Sequence, residues 1–146
     1  MQQDQTIMAA GKDLDPQEAL ICTMVLVAAA DGGITDHEIG VMSGLVQTLP
    51  AFRDFSADRL KSATEAVVRL LREDDGLAHA ARLVRAALPP RLRETAYALA
   101  CDVVAADRAT PQAELQMLEF VMSELAIDPL VAAAIERGAR ARHQGM

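Results

Sequence analysis

Two carboxylates seven residues apart, Asp31 and Glu38, bracket the end of the stretch AAADGGITDHE. The same spacing returns at Asp107 and Glu114, in VAADRATPQAE. Carboxylates and the free carbonyls at a helix end are hard oxygen donors, the ligand set that Ca²⁺ or Mg²⁺ takes. Each aspartate follows an apolar run that reads as the end of a helix. The negative pole of the backbone dipole lies there, and an acid at that place is disfavoured by about 0.3–1 kcal/mol. A chain that puts one there twice needs something to offset the repulsion. Backbone N–H groups of the turn would do it, and a bound cation would do it better. Each glutamate opens the next helix, so a tight loop brings it towards its aspartate. If the two copies face each other, four carboxylates converge.

Taken singly, either copy is also ordinary punctuation: Asp-Gly makes a turn, and a glutamate at the third helical position makes a cap. The doubling is what raises the metal reading. The candidate ligands are therefore Asp31, Glu38, Asp107 and Glu114. Asp102 is a further candidate, an acid inside an apolar helix that needs some partner. Ca²⁺ or Mg²⁺ stands ahead of Zn²⁺ as the cation. The loops lack the alternating ligands of an EF-hand. Arg108, beside Asp107, is a guanidinium that can neutralise that acid without a metal.

The remaining residue types argue against an enzyme. His37, His79 and His143 have no partners at metal spacing; the first two read as solvent-facing, and the third belongs to a basic tail. Cys22 and Cys101 lack Cys-x-x-Cys spacing and read as buried structural thiols. No phosphate loop, nucleophile elbow or dinucleotide fingerprint occurs. Arg137, Arg140 and Arg142 complement the end of the last helix. A basic tail on an acidic domain also offers a second copy something to dock on, which makes a homodimer an expectation.

The elements that must position the acids are all helical. Asp15-Pro16-Gln17-Glu18 is a capping box with proline at the first helical position; it starts a helix running to about Ala30. Thr35-Asp36-His37-Glu38 is a second box, and its helix ends near Leu49-Pro50. Phe52 and Phe55 fall in the connector and are expected to plug the core. Ser56 caps a third helix, which Asp74-Asp75-Gly76 breaks. A fourth spans Leu77 to Leu88, and Pro89-Pro90 separates it from a fifth over Pro90 to Ala106. Thr110-Pro111 starts a sixth and Asp128-Pro129 a seventh, ending in RGARARH. No period-2 run reads as a strand. Shifted by 76 residues, the first two helices fall on the fifth and sixth, with Ala29, Ala30 and Leu49 meeting Ala105, Ala106 and Leu125. The expectation is a single-domain all-α bundle of about seven helices over residues 13–146, with an internal pseudo-repeat and a flexible leader over 1–12.

Composition agrees. The chain has 146 residues, 51% hydrophobic but only 3% aromatic and without tryptophan, so its core is built from Ala, Leu, Val, Ile and Met. Small aliphatic side chains suit closely packed helices. A net charge of −7 repels phosphate backbones and argues against nucleic acid. No run reaches the roughly 18 apolar residues of a membrane span, and the amino-terminal stretch lacks the basic start of a signal peptide. The expected location is the cytoplasm.

The paired motifs AAADGGITDHE and VAADRATPQAE, with RETAYALACDVVAAD leading into the second, resemble the tellurite-resistance TerB family. The resemblance runs from Asp15 to about Arg142. It implies a seven-helix bundle with an acidic, divalent-cation-binding surface and a non-enzymatic role in tellurite and other stress. The family's acidic positions fall on Asp31, Glu38, Asp107 and Glu114. A related helical domain forms the amino-terminal part of a membrane-anchored J-domain co-chaperone, which implies the alternative role of a metal-free interaction module docking a basic protein partner. The second copy departs from the pattern: Asp107-Arg108 stands where an aspartate–glycine pair is expected.

Overall fold

The computed structural model describes residues 13–30, 32–106 and 112–146. Among the described residues seven α-helices follow one another: α1 (Pro16–Ala28), α2 (Asp36–Thr48), α3 (Ala57–Leu71), α4 (Gly76–Ala87), α5 (Pro90–Ala106), α6 (Gln112–Glu124) and α7 (Pro129–Arg142). A 3₁₀ turn over Pro50–Phe52 joins α2 to α3. No strand occurs among the described residues. The expected leader, residues 1–12, lies outside them, as does the expected helix start at Thr110-Pro111.

The helix starts follow their caps. Asp15 Oδ1 accepts from Glu18 N at 2.8 Å, and Glu18 Oε1 accepts from Asp15 N at 2.9 Å. Ser56 Oγ accepts from Arg59 N at 3.1 Å. Asp128 Oδ2 accepts from Leu130 N and Val131 N at 3.0 and 3.2 Å. Each bond satisfies a donor that the first helical turn leaves open. α4 differs, because Asp75 at its N-cap lies in the left-handed region with φ 57° and makes no side-chain cap.

α1 is the axis of the bundle. Every residue from Ala19 to Ala28 is buried. A helix apolar on all sides must be surrounded, and α1 packs against α3, α4, α5 and α6. Thr23, buried with them, donates its hydroxyl to Ala19 O at 2.9 Å, so the core holds no open donor there. Burying each large aliphatic side chain contributes about 1.5–3 kcal/mol. α5 is the second central element. It is buried at Ala96, Tyr97 and every position from Leu99 to Val104, and it packs against α1, α2, α6 and α7. Phe52 and Phe55 plug the core as expected, with ring centroids 5.6 Å apart. The Arg59 guanidinium lies 4.4 Å from the Phe55 centroid.

Some boundaries differ from expectation by a residue or two, the end of α4 at Ala87 rather than Leu88 among them. α1 stops at Ala28, because Ala29 N and Ala30 N donate to Val25 O and Val27 O and wind the chain into a tight turn. Gly32 follows at φ 108°, a conformation side-chain-bearing residues rarely adopt. α4 begins at Gly76 rather than Leu77. Among the described residues no helix is long and apolar enough to cross a membrane.

Candidate functional site

Glu38 sits at the third position of α2, with Thr35 as N-cap. Its Oε1 accepts from Thr35 N at 2.9 Å and from Thr35 Oγ1 at 3.1 Å, while Thr35 Oγ1 accepts from Glu38 N at 3.1 Å. The capping box read from the sequence is therefore formed. Burial is what the box does not account for: Glu38 is only 2% exposed. Its second oxygen, Oε2, is buried with no hydrogen-bond partner among the described residues. A capping glutamate on a surface helix would leave that oxygen in water. Here the fold removes it from water and supplies one bonded oxygen of two.

Glu114 is at the third position of α6 and is 0% exposed. Two fully enclosed carboxylates at matching positions of two helices are unusual, since glutamate is seldom fully buried. Asp31 and Asp107, the other two candidate ligands, lie outside the described residues, as does Arg108. Among the described residues no three His, Cys, Asp or Glu side chains are gathered as a metal cluster.

The fold does bring the start of α2 to the end of α5. His37 Nε2 lies 3.0 Å from Ala106 O, tying the first turn of α2 to the last turn of α5. α2 packs on α5, and the start of α6 returns along the end of α5, where Ala105 and Gln112 line one groove. Glu38 and Glu114 thus begin helices that start side by side with the end of α5. His37 is exposed, as its sequence position suggested, but its ring is engaged. Its link to Ala106 spans 69 residues, and no local pattern announces it.

Asp102 has protein partners. It is 8% exposed and accepts from Arg142 Nη2 at 2.6 Å, with His143 Nε2 at 3.4 Å from the same Oδ1. The need for a partner was legible in the sequence; the basic residues 40 positions away that meet it were not. His143 therefore does more than complement a helix end. His79, expected on a surface, is half-buried with Nδ1 at 3.8 Å from Glu73 Oε1.

Both thiols are buried, as their settings suggested. Burial pushes the Cys22 thiol up to about 12. Burial also dominates at Cys101, likewise about 12; the Tyr97 hydrogen bond and Arg140 pull down, while Glu136 and Asp102 push up. Neither is a thiolate near neutral pH, so neither is poised as a nucleophile or metal ligand. Tyr97, buried and hydrogen-bonded to Glu136 Oε2, is raised well above its ordinary range, chiefly by desolvation.

The all-helical order agrees with what comparison of the chain with known families finds. Residues 17–137 match the family described as tellurite resistance protein TerB. The chain belongs to the TerB family. That match covers most of the TerB chain's length, from α1 into α7. No curated protein and no solved structure matches it in the other two comparisons.

Proposed function

We propose that this TerB chain is a non-enzymatic cytoplasmic protein whose acidic motifs bind a divalent cation, and that it acts in resistance to tellurite and related stress. The observation that carries the reading is the buried Glu38 Oε2, which has no hydrogen-bond partner among the described residues. A half-satisfied buried carboxylate costs free energy, and a cation at Oε2 offsets that cost. The motif supplies carboxylate and helix-end carbonyl oxygens, which suit Ca²⁺ or Mg²⁺ better than Zn²⁺. The residues that would hold the ion are Glu38 and Glu114, with Asp31 and Asp107 from the adjoining turns. The reciprocal packing of α2 on α5 and of α6 on α1 supports reading the two motifs as halves of one pseudo-symmetric device. When bound, the ion would neutralise the acids and tie the helix starts together.

Calorimetric titration of the purified chain with Ca²⁺, Mg²⁺ and Zn²⁺, paired with thermal melts, tests this. Saturation at about 100 times Kd stabilises by about 2.7 kcal/mol, which raises Tm by roughly 5–10 °C in a domain of this size. No heat and no rise in Tm at millimolar metal would overturn the proposal.

A second reading is a metal-free module docking a basic protein partner. It is favoured by Ile39 and Leu115, each exposed, and each one residue beyond a motif glutamate at matching positions of α2 and α6. Arg108, in place of a glycine, points the same way. The check uses a candidate basic partner and the Ile39→Ser, Leu115→Ser double variant in chelator. This reading expects binding that survives chelator and falls at least about tenfold in the variant, the loss of two apolar contacts. Binding that chelator abolishes returns the case to the cation.

A further inference from the structure

α6 and α7 both pack on α5 but diverge from each other, leaving a groove of about 800 Å³. Tyr97 and Cys101 of α5 form its floor, Leu118 and Met122 of α6 one wall, and Ala139 of α7 with the C-cap His143 the other. The sequence marks no such groove; its other end, at Ala105 and Gln112, borders the start of α6.

The α7 wall is held lightly. Only Ala132 and Ala139 are buried on this helix, so its second half has one small apolar anchor. Burial of an alanine contributes far less than burial of a leucine. Val131 and Ile135 pack against the core in the first half of α7; beyond them two polar clasps assist Ala139: Tyr97 donates to Glu136 Oε2, and Asp102 takes Arg142 and His143. The second clasp lies at the very end of α7, on its last residue and its C-cap. It is lopsided, since the Asp102 side chain is 11% exposed and that of Arg142 is 56%. A pair with one partner in water is weak enough to open locally. Asp102, in contrast, is anchored in the central helix and cannot follow.

The structure assigns the end of α7 as a latch: the Arg142–His143 clasp on Asp102 holds the last turn of α7 closed over the groove, and its release uncovers the α5 floor at Cys101. This is independent of any cation at the acidic motifs. The two cysteines supply the readout. Cys101 lies on the groove floor at 3% exposure, whereas Cys22 is 0% exposed within α1, away from α7.

The test is alkylation of the native full chain by iodoacetamide at fixed pH, with each thiol followed separately by peptide mass. The Arg142→Gln, His143→Gln double variant changes only residues on the outer side of the clasp; Asp102→Asn removes its inner side. The double variant is expected to label Cys101 roughly five- to tenfold faster than the wild type, the scale of a lost ion pair feeding a local opening, with Cys22 unchanged; Asp102→Asn, which also lifts the upward push of that charge on the Cys101 thiol, is expected to label it faster still. Equal Cys101 rates in the wild type and the double variant overturn the latch. So does parallel acceleration of Cys22, which would make the clasp a support of the whole fold. Should Asp102→Asn unfold, the double variant decides alone.

Discussion

At the scale of single residues, Glu38 carries the most physical tension. One oxygen caps α2, and the other is buried without a hydrogen-bond partner among the described residues. Two substitutions separate those jobs. Glu38→Gln keeps an acceptor for Thr35 and removes the charge, whereas Glu38→Ala removes both. In chelator, the glutamine variant is expected to melt at or above the wild-type temperature, because a neutral amide is cheaper to bury than a carboxylate. The alanine variant loses the cap, at about 0.5–2 kcal/mol, and also leaves a void. In metal, the order of the wild type and the Glu38→Gln variant reverses, since only the carboxylate gains from the ion. Melts with and without chelator check this, and a glutamine variant markedly less stable in chelator would mean that the charge already has a partner. The role of Glu38 as a cap was readable from Thr35-x-x-Glu38. Its burial was not, since a capping box is written the same way on a surface helix.

At the scale of elements, helix starts and stops were written locally, and most expected boundaries hold. The α3–α4 corner shows what local rules omit. A Cβ at Gly76 would stand 2.3 Å from Leu70 O, a backbone atom that cannot swing aside. Gly76→Ala gains up to about 1 kcal/mol of helix propensity but meets an overpacking cost of about 1–3 kcal/mol. The clash should win, lowering Tm by a few degrees; a thermal melt in which alanine is neutral or stabilising would show that the corner relaxes freely. In the sequence, Asp74-Asp75-Gly76 reads as a flexible breaker. In the structure the glycine is required by close approach of backbone, with Asp75 rather than the glycine in the left-handed region.

At the scale of the whole molecule, the core of α1 and α5 encloses groups that titrate only when it opens. Cys22 and Cys101 rise from an ordinary 9.0 to about 12, and Tyr97 rises from 10.0. A raised value in the folded state means that the unfolded chain loses these protons first. Stability is thus fully present below about pH 9 and falls above it, by at most about 1.4 kcal/mol per pH unit for each fully differential group. Urea unfolding between about pH 8 and 11 should give midpoints that fall steadily above about pH 9, and Cys22→Ala should flatten part of that slope. A flat profile would mean that the thiols are reached by water in the folded chain. The same enclosed core ties the bundle together, with α1 packing against α3, α4, α5 and α6 at once.

Taken alone, the amino-acid order determined the all-α class, the sequence of seven helices, the capping residues and the TerB resemblance. The first three follow from periodicity and from contacts three or four residues apart, and the resemblance rests on the paired acidic motifs; a linear text contains all of these. Tertiary structure alone decided that Glu38 and Glu114 are enclosed, that His37 reaches Ala106, and that Asp102 is met by Arg142 and His143. Each of these joins residues or faces separated by tens of positions. Whether an acid meets water, a cation or a guanidinium depends on which helices close over it, and that is set by packing around α1 and α5 rather than by neighbours in the chain.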